Sequence, residues 1–209
     1  MKSSLLLTKV IICWMIAVSP SKAQKSLESE SLEQIEFTDS YVLLEKQNKK
    51  GLATQNGQRI LPPEYDEISI NNPYIFLRKF DKKGLAALDG QILVPVEYHE
   101  IGINNPYIFL RKFDKKGLAA LDGQIIIPVE YDEIDISNPY ISLRKFNKIG
   151  LAALDGQILV PIEFDEIIFE SNFIITRNMN SFGLFKLDGT PIFKTEYPIN
   201  TIEEYLKSH

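Results

Sequence analysis

A chain of 209 residues, 44% hydrophobic and 24% charged, has the balance of a folded globular protein and not of a disordered or membrane-spanning one. Its formal net charge of -5 is the wrong sign for nucleic acid, whose phosphates need clustered Lys and Arg. The single cysteine, Cys13, excludes an internal disulfide and a cysteine-ligated metal.

Residues 1–23 have the features of a secretory signal peptide. Lys2 and Lys9 give the positive start, and Val10–Val18 is an apolar run too short to span a bilayer. Ser21-Lys22-Ala23 offers small residues at the two positions a signal peptidase reads, which predicts a mature start at Gln24. These residues carry three lysines and no acid, so the remainder holds 20 basic against 28 acidic residues, a net of -8. Cys13 and Trp14, the only Cys and Trp, leave with the signal. The expected protein is exported, to the periplasm, the cell surface or the medium, with no transmembrane segment in the mature chain. Residues 24–31 are polar and aperiodic, and are expected to form a flexible lead-in.

From residue 32 to about 200 one pattern recurs. The string GLAALDG stands at Gly84–Gly90, Gly117–Gly123 and Gly150–Gly156, with looser copies at Gly51–Gly57 and Gly183–Gly189. The leading glycines are 33 residues apart without a slip, the mark of a repeat architecture. Within a unit, Tyr74–Phe80 is rich in aromatic and branched residues and predicts a strand. Asp81–Gly84 predicts a turn closed by a left-handed glycine, and Leu85–Leu88 a second strand. Asp89-Gly90 predicts a two-residue hairpin. Gln91–Val94 follows as a third strand stopped by Pro95, and residues 97–106 as a connection ending in an Asn-Asn-Pro turn.

The expected fold is therefore all-β: five three-stranded antiparallel meanders in tandem. Their strands are apolar on both faces, which predicts sheets sandwiched between neighbours in a propeller-like or open superhelical stack. Gly84, Gly90, Gly117, Gly123, Gly150 and Gly156 are the expected structural turns. Thr201–Glu204 has capping-box spacing, so residues 201–209 are expected as a cap helix or tail.

The pattern G-L-x-x-[LQ]-[DN]-G, a Pro five residues on and then E-[YF], resembles the bacterial WG-repeat (KWG-like) family. It stands here as Gly84, Gly90, Pro95, Tyr98; Gly117, Gly123, Pro128, Tyr131; and Gly150, Gly156, Pro161, Phe164. The family's Trp before the leading Gly is replaced by Lys50, Lys83, Lys116, Ile149 and Phe182. The resemblance implies a β-rich repeat protein, often exported, with no common enzymatic activity.

Candidate chemistry is sparse. Glu64, Glu97 and Glu130 begin a column of glutamates, one per unit, and Arg78, Arg111 and Arg144 a column of arginines. Near-identical copies do not give the unequal carboxyl environments that glycoside hydrolysis needs. Carboxylates one sheet apart are too distant to share a calcium ion. His99 and His209 are the only histidines, which leaves no triad and no His-metal cluster. Tyr74, Tyr107, Tyr140 and Phe173, at strand starts, are expected in the core. No catalytic residue, cofactor or metal is assigned. The sequence points to a non-catalytic exported scaffold that binds a protein partner in the envelope or outside the cell, on a surface drawn from these arginines and glutamates. The alternative is a five-bladed propeller that binds or hydrolyses carbohydrate.

Overall fold

The computed structural model describes residues 34–37, 40–170 and 172–208. The expected signal peptide and lead-in lie outside the described residues. The described chain folds into five four-stranded antiparallel sheets and one helix. Sheet 1 holds β1 (Gln34–Phe37), β2 (Tyr41–Lys46), β3 (Lys49–Thr54) and β4 (Arg59–Tyr65). Sheet 2 holds β5 (Glu67–Asn71), β6 (Tyr74–Lys79), β7 (Lys82–Ala87) and β8 (Ile92–Tyr98). Sheet 3 holds β9 (Glu100–Asn104), β10 (Tyr107–Lys112), β11 (Lys115–Ala120) and β12 (Ile125–Tyr131). Sheet 4 holds β13 (Glu133–Ser137), β14 (Tyr140–Lys145), β15 (Lys148–Ala153) and β16 (Ile158–Phe164). Sheet 5 holds β17 (Glu166–Glu170), β18 (Phe173–Asn178), β19 (Ser181–Lys186) and β20 (Pro191–Tyr197). Helix α1 (Ile199–Ser208) follows.

The chain divides into two compact units, one running to Glu64 and the other from Tyr65 onward. In the first, Val42, Leu44 and Ala53 form a small buried cluster. In the second, successive sheets pack face to face in tandem, β8 on β10, β12 on β14 and β16 on β18. Leu85, Val94 and Tyr98 of sheet 2 meet Ile108, Leu110 and Ala119 of sheet 3. The same positions fill the next joint, where Leu118, Ile127 and Tyr131 meet Ile141, Leu143 and Ala152. Each fully buried Leu, Ile or Val contributes about 1.5–3 kcal/mol. Helix α1 covers the last sheet by setting Ile202 against Ile175 and Leu184.

The all-β tandem fold agrees with the sequence, and four details differ. First, the connection after each third strand is itself a strand. Glu100–Asn104 pairs with β10, Ile101 opposite Leu110 and Ile103 opposite Ile108, so each sheet has four strands. Second, the third strand runs on through its proline, because β8, β12 and β16 are edge strands, where a missing N–H breaks no ladder.

Third, Gly84, Gly117 and Gly150 are not turn residues. They lie inside β7, β11 and β15, and the positive φ angles belong to others. Lys79 pairs with Lys82, so the hairpin turn is Phe80-Asp81. Gly84 is needed for close approach. The register shifts around it, and a Cβ there would stand 2.5 Å from Val96 Cγ2 and 2.9 Å from the Val94 carbonyl oxygen. By contrast Gly90, Gly123 and Gly156 are left-handed as expected, at φ 92°, 91° and 92°. Fourth, the C-terminal helix begins at Ile199, directly after Pro198, instead of at 201.

Candidate interaction surface along the hairpin tips

The β6–β7 hairpin and its equivalents carry the second unit's most exposed large apolar side chains. Phe80, Phe113, Phe146 and Met179 are 72%, 67%, 76% and 81% exposed. Each is the first of two turn residues and has a left-handed backbone, with φ 57°, 55°, 51° and 53°. A bulky residue rarely adopts that region, and doing so costs on the order of 1–3 kcal/mol. Something must hold these turns. The residue that follows each sheet's last strand does so.

Asp132 lies between β12 and β13. Its N–H donates to the Arg144 carbonyl (2.8 Å), and its Oδ2 accepts the Phe146 N–H (2.8 Å). Asp66 does the same for Phe80, and Asp165 for Met179 (2.9 Å). At the equivalent place His99 accepts the Phe113 N–H through Nδ1 (2.9 Å), and its ring lies 4.9 Å from the Phe113 ring. A lysine of the preceding sheet reaches each of three such caps: Lys82 to His99, Lys115 to Asp132 and Lys148 to Asp165. Lys82 also sits 5.5 Å from the centre of the Phe113 ring, and Lys115 5.2 Å from that of Phe146. The tips of neighbouring sheets are thus tied by charge and by cation–π contact.

The hydrogen bond from Lys115, then that from the Phe146 amide, holds the Asp132 carboxyl below the ordinary carboxylate range. Lys148 and the Met179 amide do the same for Asp165. Arg111 keeps Glu100 ionised through its hydrogen bond, and its own pKa is raised in return.

The expected surface residues fall beside these tips, but with different partners. Arg78 is exposed and Arg111 and Arg144 partly so, and they pair within their own sheets with Glu67 (2.9 Å), Glu100 (2.8 Å) and Glu133 (3.0 Å). The column of Glu97 and Glu130 pairs instead with Lys112 (2.9 Å) and Lys145 (3.2 Å). Glu64 belongs to the first unit, near the end of β4. Sequence reasoning misses the exposed Phe row because Phe80 reads as the last residue of an aromatic strand. The even pairing of Lys79 with Lys82 is the missing signal. The strand-start tyrosines do pack inward, and each does one thing more. Tyr74, Tyr107 and Tyr140 donate their hydroxyls to the carbonyls of Leu121 (3.4 Å), Leu154 (3.0 Å) and Leu187 (2.9 Å) in the next sheet. At the family's Trp position, Lys83 and Lys116 are exposed, while Phe182 packs in the cluster under the helix.

Open grooves lie between sheets. One of ≈ 450 Å³ is lined by Glu100, Phe109, Arg111 and Ile134, and one of ≈ 440 Å³ by Asp135, Asn138, Tyr140, Ser142 and Phe169. Among the described residues no three His, Cys, Asp or Glu side chains gather to hold a metal ion, and no helix is long and apolar enough to cross a membrane.

Comparison with known proteins returned a family and some distant structures. No curated protein matches the chain. Among solved structures it is similar to Hsv2 of Kluyveromyces lactis, at 12% identity and a TM-score of 0.30, over 77% of this chain and 62% of that one. It is also similar to PorZ, a bacterial surface component of the type-IX secretion system of Porphyromonas gingivalis, at 7% identity and a TM-score of 0.28, over 78% of this chain and 27% of that one. The computationally designed Ika4 protein matches at 13% identity and a TM-score of 0.27, over 62% of this chain and 89% of that one. The chain thus spans less than two thirds of the length of Hsv2. Residues 121–148 match the family model of the WG containing repeat. That window holds Asp122-Gly123, Pro128 and Glu130-Tyr131, a pattern that returns 33 residues away in the neighbouring sheets with Phe164 in place of the tyrosine in one, so the chain carries the WG containing repeat at 121–148.

Proposed function

We propose that this protein is a non-catalytic, exported scaffold that binds a protein partner in the cell envelope or outside the cell. The observation that carries the reading is the row of exposed apolar side chains at equivalent hairpin tips. A large apolar side chain held out to water at the same place in each of sheets 2 to 5 offers a partner a regular set of contacts. Its repetition offers the same weak contact once per sheet, and such contacts multiply into avidity. The charged groups argue for binding over hydrolysis. Glu100 lines a groove, but Arg111 holds it ionised, whereas a glycosidase acid needs a raised pKa. Export rests on residues 1–23.

The test is fractionation with in situ cross-linking. The protein is expected outside the cytoplasm with its N-terminus at Gln24, cross-linked to a discrete partner. Reversing Arg78, Arg111 and Arg144 together should weaken that cross-link and barely move the melt, since exposed ion pairs contribute only about 0–1 kcal/mol each. An unprocessed cytoplasmic chain, or turnover of a glycan that one Glu→Gln change abolishes, would sink the reading.

One observation favours the glycan alternative as a second ligand class. Ser142 stands where sheets 2 and 3 have Phe76 and Phe109, and it lines a largely apolar groove beside stacked Tyr140 and Phe169 rings, 5.3 Å apart. An exposed ring with nearby Asp, Asn and Ser suits a sugar face. Phe169→Ala should abolish any oligosaccharide binding seen by calorimetry, and retained binding would remove this groove from consideration.

A further inference from the structure

The groove of ≈ 450 Å³ at sheet 3 has a twin of ≈ 200 Å³ at sheet 2. The two are lined from equivalent positions, 33 residues apart, with a glutamate–arginine pair, a phenylalanine, a lysine and a facing isoleucine in each. They differ at one of these positions: Ser69 in the small groove is Gly102 in the large one. A glycine inside a strand marks a bulge, a close backbone neighbour or the approach of a ligand. Gly102 lies in unbroken register opposite Phe109, and its backbone is not left-handed. Nothing stands within 4 Å of where its Cβ would be, so neither a neighbouring backbone nor the Phe109 ring closes over it.

The charges around that opening are unbalanced. Arg111 and Glu100 hold each other across β9 and β10. Lys83 and Lys116 line the same groove, are exposed, and have no ion-pair partner among the described residues. Lys83 comes from sheet 2 and lies near enough to help keep Glu100 ionised. The lining therefore carries three cations against one carboxylate, and two of the cations are uncommitted. The groove of ≈ 440 Å³ at sheet 4 has Asp135, Ser142 and Ile149 at the places of Gly102, Phe109 and Lys116, so it lacks this lysine and gains a carboxylate.

We propose that the sheet 3 groove binds a small aromatic carboxylate. The ring enters over Gly102, against Phe109 and Ile134, and the carboxylate reaches the ammonium groups of Lys83 and Lys116. A groove of this volume suits a small molecule. The Phe109 ring favours an aromatic body through offset or edge contact, and the two uncommitted lysines select an anion. The site is separate from the Phe tips, so it stands or falls apart from the protein-binding reading.

The test is titration calorimetry of the full chain with naphthoate, and with naphthylmethylammonium and inorganic phosphate as controls for charge and for the apolar body. Naphthoate is expected to bind, more weakly as salt rises, and the controls are expected not to saturate. Gly102→Leu should weaken naphthoate binding at least roughly tenfold, because the new side chain fills the space the ring would take. Its melt should not fall, since a Cβ there meets nothing. Lys83→Gln with Lys116→Gln should weaken binding roughly three- to tenfold and flatten its salt dependence, again without lowering the melt. Failure of naphthoate to bind, equal binding of the ammonium, or binding that survives Gly102→Leu overturns the proposal. A lower melt for Gly102→Leu also overturns it, because the glycine would then be structural. Binding of a peptide of alternating Glu and Gly in place of naphthoate would assign the lysines to a polypeptide and remove the small-molecule site.

Discussion

The joint between sheets 2 and 3 and the joint between sheets 3 and 4 are built from nearly the same sequence and differ at one cap. Both have a turn glycine under a neighbouring carbonyl, a tyrosine hydroxyl bonded across, and a lysine reaching to the cap. At the second joint the cap is Asp132, an acceptor on both oxygens, between the Phe146 N–H and the Lys115 ammonium. At the first it is His99, with Nδ1 on the Phe113 N–H and Nε2 on Lys82. A neutral imidazole accepts at one nitrogen only, so with Nδ1 engaged Nε2 carries a proton and faces another donor. The glycine and the tyrosine are what every joint needs, and the aspartate cap is what one joint can lose.

The shared part should dominate. A Cβ on Gly123 would overlap the Leu93 carbonyl oxygen, and one on Gly156 that of Ile126. Both glycines are left-handed as well. Gly123→Val and Gly156→Val should each cost about 3–5 kcal/mol, adding turn strain to overpacking. Denaturant melts would read this. A cost at one joint but not the other would mean that the two are not built alike. Gly102→Ala is the control, since a Cβ there meets nothing within 4 Å. Next comes Gly117→Val, crowded by Val129 Cγ2 at 2.6 Å without turn strain, for which about 1–3 kcal/mol is expected.

These glycines also mark what is legible in the sequence. The period, the Asp-Gly hairpins and the apolar strands follow from local chemistry, and the tandem sheets follow from them. Gly117 reads wrongly as a turn because it comes after a polar run, and its true reason is the close approach of the next strand, β12, at Ile127 and Val129. The fourth strand hides in Glu-Ile-Gly-Ile-Asn, a period-two segment too short and polar to stand out. The Arg–Glu pairs hide with it, because Arg111 meets Glu100 only once β9 lies beside β10. The Phe tips are invisible for the opposite reason: they contradict local preference.

The tyrosine bonds give a smaller and graded effect. Tyr107→Phe removes a 3.0 Å bond between sheets 3 and 4 and should cost about 1 kcal/mol. Tyr74→Phe removes a 3.4 Å bond between sheets 2 and 3 and should cost less, since a hydrogen bond of that length is weak. Equal costs in paired melts would mean the His99 joint is no looser than its neighbour.

The smallest effect in the melt is the sharpest in place. Asp132 and Asp165 have lowered pKa values, from their lysine partners first and the turn amides second. A lowered carboxyl pKa stabilises the fold above its unfolded value, about 3.9, and the contribution is lost as pH falls through the folded value. These caps should therefore persist below about pH 4. The His99 cap differs in kind: its ring accepts at one nitrogen only, so it cannot take both the Phe113 amide and the Lys82 ammonium as an aspartate would. The Phe113 amide should therefore be less protected from hydrogen exchange than the Phe146 and Met179 amides under the same conditions. His99→Asp should bring Phe113 to the behaviour of Phe146, because a carboxylate accepts both donors. If Phe113 is as protected as Phe146 in the parent protein, the two joints are equivalent, and the exchange of Asp for His is a surface change without mechanical consequence.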